Sequence, residues 1–117
     1  MAEDDFCYLV TTGRRSGEPH DIEIWYEHDP VAPATVFLLA GAGRASDWVR
    51  NLEAAPAATV RFGADPTVRR VVGRVLDEDD DEARRARDLV FAKYQPRRSS
   101  DLRSWRERSL PVALDLV

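Results

Sequence analysis

Short runs of apolar and β-branched residues, separated by turn-forming residues, recur along the whole chain. Runs of this length and composition are typical of β-strands. The predicted strands are residues 6–12, 20–28, 35–40, 59–62, 68–76 and 110–117. Within 20–28, Ile22, Ile24 and Tyr26 share one face and Trp25 lies on the other, which predicts a strand with one buried side.

Two segments have the apolar spacing of helices instead. The first begins after Ser46, a predicted N-cap, and ends at Pro56. The second begins at a variant capping box formed by Asp79 and Glu82 and ends at Pro96. Its apolar stripe consists of Ala83, Ala86, Leu89, Val90 and Tyr94. Antiparallel strands in hairpin order, with helices at the rim, favour a small closed barrel over an open doubly wound sheet.

The composition is that of one folded domain, which we expect to span residues 1–117. Hydrophobic residues make up 44% and charged residues 32%, which argues against a disordered chain or a disulfide scaffold. The single cysteine, Cys7, lies in an apolar strand and is expected to pack rather than react. No apolar run approaches the roughly 20 residues that span a bilayer, and the acidic start 1–5 is unlike a signal peptide. We therefore expect a cytoplasmic protein without a membrane span.

The charge distribution favours a small ligand over a polyanion. A net charge of −4 opposes a large nucleic-acid interface, so no nucleic-acid partner is expected. Arg14, Arg15 and Arg44 nevertheless form local basic clusters that suit a small anion. The two histidines and Cys7 lack metal-ligand spacing, and the acidic run 77–82 lacks the glycine of a calcium loop, so no metal site is predicted.

Two segments carry candidate chemistry. In residues 11–19 (TTGRRSGEP), glycines permit a tight turn, and hydroxyls and two guanidiniums offer donors to a phosphate. An ordinary hairpin turn with solvated arginines is the alternative. In residues 40–52 (AGAGRASDWVRNL), a glycine-rich strand end leads into a helix N-terminus, where free amides favour anionic or ring-oxygen ligands. An ordinary loop with Trp48 as core filling is the alternative there.

Four motifs follow one another along the chain: T-T-G-R-R-S-G-x-P, a strand with W-Y, an apolar strand leading through glycines into D-W-V-R-N-L-x-x-x-P, and a late S-W-x-x-R-x-L-P-V. In this order and spacing, over roughly residues 8–117, they resemble the deazaflavin-dependent nitroreductase and quinone reductase family. The resemblance implies a mainly β fold, a small antiparallel split β-barrel with two or three short helices, which agrees with the predicted strand order.

The resemblance also implies an activity and a cofactor. Members of this family bind coenzyme F420 and pass a hydride from its reduced ring to a small electron-poor acceptor such as a quinone, a nitro compound or an activated double bond. FMN is the alternative cofactor. A non-catalytic flavin or deazaflavin carrier, and an interaction domain whose pocket no longer binds a cofactor, are the alternatives to an enzyme. Acceptor-dependent turnover separates them.

The resemblance also implies roles for the residues that match the family's motifs. Those implied to bind the cofactor's phosphate and tail are Thr12, Gly13, Arg14, Arg15 and Ser16. Those implied to line its ring are Ala40, Gly41, Ala42, Gly43, Arg44, Asp47, Trp48 and Asn51. Trp25 and Tyr26 would form a wall of the pocket, and Tyr94 is the candidate catalytic residue that orients the acceptor or relays a proton.

This chain departs from the family pattern in two places. Ala40-Gly41-Ala42 replaces a serine-lysine pair, so that Arg44 is the one cation near the glycine-rich strand end. The longer N-terminal helix of the family has no counterpart, and we expect the pocket to be more open or to be closed by a second subunit in a homodimer. Trp25 and the strand of residues 69–76 are candidates for the dimer face, or for covering the domain's own core.

Overall fold

A computed structural model describes residues 5–117, and the acidic residues at the start, 1–4, lie outside the described part. The strands are β1 (Cys7–Thr12), β2 (Pro19–Ile24), β3 (Glu27–His28), β4 (Thr35–Ala40), β5 (Ala57–Phe62), β6 (Arg69–Val75) and β7 (Leu110–Leu116). The α-helices are α1 (Asp47–Ala54), α2 (Asp81–Tyr94) and α3 (Arg103–Arg108). Short 3₁₀ turns cover Gly43–Ala45 and Gln95–Arg97.

All seven strands form one antiparallel sheet in the order β2-β1-β5-β6-β7-β4-β3. The closing strand β7 lies between β6 and β4, so the last segment of the chain is a central strand. The sheet curls so that one face becomes the interior of a half-barrel. The prediction of a mainly β, split-barrel fold is confirmed, and α3 is the third short helix.

The barrel interior is apolar because six of the strands, all but β3, contribute alternate residues to it. Its fully buried members include Cys7, Leu9, Val36, Leu38, Val60, Val71, Val112 and Leu114. Helix α1 closes one end through Val49 and Leu52, as its helical spacing predicts. Burial raises the pKa of the Cys7 thiol to about 12, which keeps the sulfur protonated and unreactive.

A second apolar cluster lies on the other side of β4 and β7, beneath α2 and α3. The buried side of α2 consists of Ala83, Ala86, Val90 and Tyr94. The helix begins one residue later than the predicted capping box, because the carboxylate of Asp80 accepts a hydrogen bond of 2.9 Å from the Ala83 amide. Ser46 does precede α1, but its side chain makes no capping hydrogen bond.

The prediction of one continuous strand over residues 20–28 is wrong. The chain leaves the sheet after Ile24 and rejoins it as β3 at the opposite edge. The backbone of Tyr26 turns toward α2 instead, because its amide donates to the Tyr94 hydroxyl at 3.0 Å and its carbonyl accepts from Lys93 Nζ at 2.9 Å. This interruption leaves the barrel split between β2 and β4.

Gly73 on β6 packs closely against Leu52 of α1. A Cβ atom at this position would lie 2.8 and 3.0 Å from the two methyl carbons of Leu52, which is 2% exposed. We expect Gly73→Ala to lower the free energy of unfolding by about 1–3 kcal/mol, the usual cost of overpacking a core. Urea denaturation measures it. If this contact is responsible, the double variant Gly73→Ala/Leu52→Ala should lose less stability than the sum of the losses of the two single variants.

Candidate functional site

The split between β2 and β4 is the candidate site, and we call it the seam. It is bordered by Glu23–Trp25 on the β2 side and by Leu39–Gly41 on the β4 side. A cavity of about 270 Å³ opens there, lined by Phe6, Glu23, Ile24, Trp25, Leu39 and Trp105. Because β3 pairs only with Val36 and Phe37, the outer edge of β4 beyond Phe37 has no strand beside it in residues 5–117.

The free edge of β4 directs backbone polar groups toward the seam. In an antiparallel strand, the N–H and the C=O of one residue point to the same edge of the strand, and this edge alternates from residue to residue. The Thr35 carbonyl accepts from Asp29 on the β3 side, at 3.0 Å, so Phe37 and Leu39 also point away from β7. The N–H and C=O of Leu39 therefore point toward the seam, although Leu39 as a whole is only 3% exposed.

The β1–β2 turn, residues 13–18, precedes β2, and none of its residues lines the seam cavity. Gly17 has a φ of +75°, a conformation that favours glycine, and its amide donates to the Gly13 carbonyl at 2.8 Å. Gly13 is packed tightly, since a Cβ there would lie 2.7 Å from Ser16 Oγ and 2.8 Å from His20 Nε2. The turn therefore has one defined shape, which holds Arg15 and Ser16 at its exposed tip.

Asn51 joins this turn to α1. Its side chain is 1% exposed, accepts from the Arg14 amide at 3.1 Å and from Arg14 Nη1 at 3.0 Å, and donates to Thr11 Oγ1 at 3.1 Å. Arg14 also pairs with Asp47 at 3.2 Å. Two segments that lie far apart in sequence, each predicted to contact the cofactor, are thus bonded to each other.

The two arginines of the turn have different roles. Arg14 is half-buried and fixed by Asn51 and Asp47. Arg15 is exposed and makes no ion pair or side-chain hydrogen bond within residues 5–117. Arg15 is therefore the guanidinium that remains available to an external anion.

The glycine-rich strand end lies on the β4 side of the seam, and we call residues 40–43 the glycine rim. Gly41 is exposed, and a Cβ on it would lie 3.1 Å from the indole nitrogen of Trp105. Gly43 has a φ of +57° and begins a 3₁₀ turn. Arg44, which follows, is already paired with Glu53 at 3.0 Å and Asp77 at 2.9 Å.

Aromatic rings wall the seam on the α2 side. Trp25 stacks on Tyr94 with ring centroids 4.4 Å apart, and it meets Trp105 edge-on at 5.4 Å. The Arg98 guanidinium covers the Trp25 ring at 4.9 Å. Trp25 is only partly buried and lines the cavity, whereas Tyr26 is 7% exposed and belongs to the barrel interior.

Tyr94 lies under this wall rather than in the cavity. It is 1% exposed, and its hydroxyl lies 2.5 Å from the Asp5 carbonyl and 3.1 Å from the Tyr26 carbonyl. Burial raises its pKa, which disfavours proton release. This environment argues for a positioning role for Tyr94, through Trp25 and the Tyr26 backbone. The predicted contact with an acceptor stays a prediction.

The predicted residues fall into separate groups. Trp25 lines the seam cavity, and Gly41 lies beside Trp105, which also lines it. Arg14 and Asn51 are bonded to each other without lining that cavity, and Trp48 packs against the barrel interior. Sequence reasoning missed Trp105, Leu39, Phe6 and Glu23. Trp105 belongs to the late S-W-x-x-R motif, which marks the family in the sequence without indicating a role in the site.

A larger cavity, about 520 Å³, lies elsewhere, on the outer face of β1, β5 and β6. Four residues of the 11–19 segment line it, namely Thr11, Thr12, Gly17 and Pro19, and Thr12 is also one of the residues implied to bind the cofactor. Among residues 5–117, no group of three or more His, Cys, Asp or Glu side chains is arranged to hold a metal ion. No helix in the same part of the chain has both the length and the apolar character needed to cross a membrane.

Replacing Asn51 by leucine tests the link between turn and helix. We expect Asn51→Leu to cost about 1–3 kcal/mol of stability, because buried partners lose their hydrogen bonds. We also expect weaker binding of an anionic ligand, because Arg14 and the turn are no longer held. Thermal unfolding and ligand titration measure the two effects. Unchanged ligand affinity in a folded variant would contradict a binding role for the turn.

One protein family matches almost the whole chain. The model of the F420H(2)-dependent quinone reductase family covers residues 1–116. A search of curated proteins gave no significant match.

Solved structures share the fold at low sequence identity. The heme storage protein HutZ of Vibrio cholerae superposes with a TM-score of 0.76 at 13% identity, over 99% of this chain and 84% of that one. A structure described as an F420-H2 dependent reductase gives a TM-score of 0.60 at 19% identity, over 95% and 93% of the two chains. One described as a domain-swapped dimer gives 0.60 at 19%, over 95% and 79%.

Proposed function

Because this chain belongs to the F420H(2)-dependent quinone reductase family, we propose that it binds coenzyme F420 along the seam and reduces a small electron-poor acceptor there. The chain is an F420-dependent oxidoreductase that acts on a small molecule. The observation that supports this proposal most directly is the bonding of Arg14 to Asn51, which joins two segments predicted to contact the cofactor.

The donors around the turn fit an anionic tail. Arg15 is exposed and unpaired within the described residues, and Thr12 and Ser16 add exposed side-chain hydroxyls. Such a cluster suits a phosphate, for which guanidinium and hydroxyl donors are the usual partners. Arg44 is less suited, because Glu53 and Asp77 already neutralise it. In this proposal Arg15 takes the role of the cation that the family's serine-lysine pair supplies.

The residues on the two sides of the seam suit a flat ring. Gly41 leaves its backbone open on one side, and the edge of β4 offers the amide and carbonyl of Leu39. A heterocycle with alternating donors and acceptors can pair with such an edge in the manner of a neighbouring strand. Trp25 and Trp105 supply apolar walls that exclude water from one side.

The chemistry follows from positioning. When bound, the reduced deazaflavin supplies the two-electron reductant. Of the chain's own residues, Leu39 would hold the ring, Arg15 would bind the anionic tail, and Trp25 would provide an aromatic wall of the site. Quinones, nitro compounds and activated double bonds are planar and electron-poor, so they suit a site between aromatic rings.

Assembly is part of the proposal. A homodimer is supported by the open rim of the barrel and by one structural neighbour, at 19% identity, that is described as a domain-swapped dimer.

Oxidation of reduced F420, followed spectrophotometrically with a quinone, a nitro compound or an enone as acceptor, tests this function. We expect acceptor-dependent oxidation well above the protein-free rate, and no comparable activity with reduced FMN. Binding of F420 without turnover of any acceptor would favour a carrier. Failure to bind F420 would overturn the proposal.

A further inference from the structure

The outer face of four strands is left uncovered. Helices α2 and α3 pack on the outer side of β4 and β7, and α1 closes the barrel end, so β2, β1, β5 and β6 carry no helix on their outward side. Three of the four large hydrophobic side chains exposed in residues 5–117 lie on or beside this face: Val68, Val72 and Val117. Its cavities have volumes of about 520 and 360 Å³.

The strand register arranges the outward side chains of this outer face in rows across the strands. One row runs from Asp21 on β2 through Val10 and Thr59 to Arg70 on β6. The next row runs from Glu23 through Tyr8 to Arg61, whose guanidinium lies 4.3 Å from the Tyr8 ring centre. On the other side of the first row, Pro19 pairs with Thr12, and Ala57 pairs with Val72.

The first row ends in opposite charges that are not paired within the chain. Asp21 and Arg70 are exposed, and neither forms an ion pair or side-chain hydrogen bond within residues 5–117. They cannot meet each other, because three strand spacings of about 4.8 Å separate β2 from β6. The face therefore has an acidic edge on β2 and a basic edge on β6, with Val10, Thr59 and the Tyr8–Arg61 pair between them.

The geometry points to this outer face as the interface of a homodimer whose two-fold axis runs parallel to the strands, between β1 and β5. Such an axis lays β2 of one subunit over β6 of the other and keeps each row in register. Asp21 then meets the partner's Arg70, and Tyr8 meets the partner's Arg61. Pro19 meets the partner's Val72 in the same way, and Val10 lies at the apolar centre.

Charge selects this orientation over its alternative. A two-fold axis perpendicular to the strands would lay β2 over β2, so that Asp21 and Glu23 would face the same acids of the partner. Like charges at close range destabilise an interface and suppress that pairing. Aligned packing of two sheets about 10 Å apart is also a common arrangement for apolar sheet faces. This inference rests on the homodimer proposed above and names its surface.

Sedimentation equilibrium of the full chain tests the interface with two charge reversals, Asp21→Arg and Arg70→Glu. Each variant alone places like charges together, so its dimer dissociation constant should rise more than about tenfold. An equimolar mixture of the two should associate again, because every reversed charge then meets its opposite. Arg108→Glu, on α3 and away from this face, should leave association unchanged. Wild-type association should weaken with added salt.

The outcomes separate the two proposals. A monomeric wild-type chain would overturn the homodimer and this interface together. A wild-type dimer that both reversals leave intact would overturn the interface alone. Dissociation of both variants without recovery in the mixture would contradict the pairing of Asp21 with Arg70. Circular dichroism spectra of the variants check folding, and because both side chains are exposed, the spectra should match that of the wild type.

Discussion

Replacing Arg85 by methionine is expected to lower the free energy of unfolding by about 3 kcal/mol at pH 7. Asp29 is 0% exposed, and both of its carboxylate oxygens accept from Arg85, at 3.0 and 2.9 Å. Removing one member of such a pair leaves a buried charge without compensation, at a cost of about 3–5 kcal/mol. The lower end applies because the Arg85 side chain is 29% exposed. Urea denaturation followed by circular dichroism measures the loss.

A neighbouring arginine provides the control for this prediction. Arg84 pairs only with exposed carboxylates on α2 and the segment before it, so Arg84→Met should change stability by less than about 0.5 kcal/mol. The hydrogen bond from Arg85 lowers the pKa of Asp29, so the pair's contribution is present above the carboxyl's unfolded pKa of about 3.9 and is lost as the pH falls through the lower folded value. Equal losses for both arginine variants would contradict a buried pair.

Replacing Arg15 by glutamine is expected to raise the dissociation constant for F420 about 10- to 100-fold. A charge-assisted hydrogen bond to an anion contributes about 1.5–3 kcal/mol, which corresponds to that range. Stability should not change, because Arg15 is exposed and makes no bond to the rest of the described chain. Ligand fluorescence titration measures the affinity.

The control for this prediction is Arg108→Gln on α3, which removes the same charge at a position away from the turn. Its affinity for F420 should equal that of the wild type. Salt should weaken binding to the wild type more than binding to Arg15→Gln, since one fewer charge contributes. If both variants bind F420 equally well, the anionic tail does not lie at the β1–β2 turn.

The strands could be predicted because their burial alternates in the sequence. Each predicted strand except 20–28 appears within one residue of its predicted bounds, apart from β5, which begins at Ala57, two residues early. The exception depends on tertiary bonds from Tyr94 and Lys93 to the backbone of Tyr26, far away in sequence. Local pattern carries no signal for such bonds.

The candidate site could be predicted in part for the same reason. Turn and glycine signals mark residues 12–16 and the glycine rim, and the family motifs add Asn51. Sequence could not show that Arg14 is fixed by Asn51 while Arg15 stays available, since both are arginines of one turn. Nor could it show that Trp105 lies beside Gly41, because that contact depends on how α3 packs.

Sequence motifs are sufficient to indicate the family and the cofactor. The match to the F420H(2)-dependent quinone reductase family confirms the predicted enzyme class and the choice of F420 as cofactor. Four modest motifs in a fixed order carry this information, because each constrains a different part of the same fold.

Amide hydrogen exchange of the protein with and without F420 tests most directly whether the seam is the cofactor site. We expect slower exchange on F420 binding in peptides that cover residues 12–18, 39–47 and 23–26. No ligand-dependent change is expected on the outer face in residues 57–61 and 69–72. Protection confined to those outer strands, around the 520 Å³ cavity, would contradict a cofactor site at the seam and place the cofactor there instead.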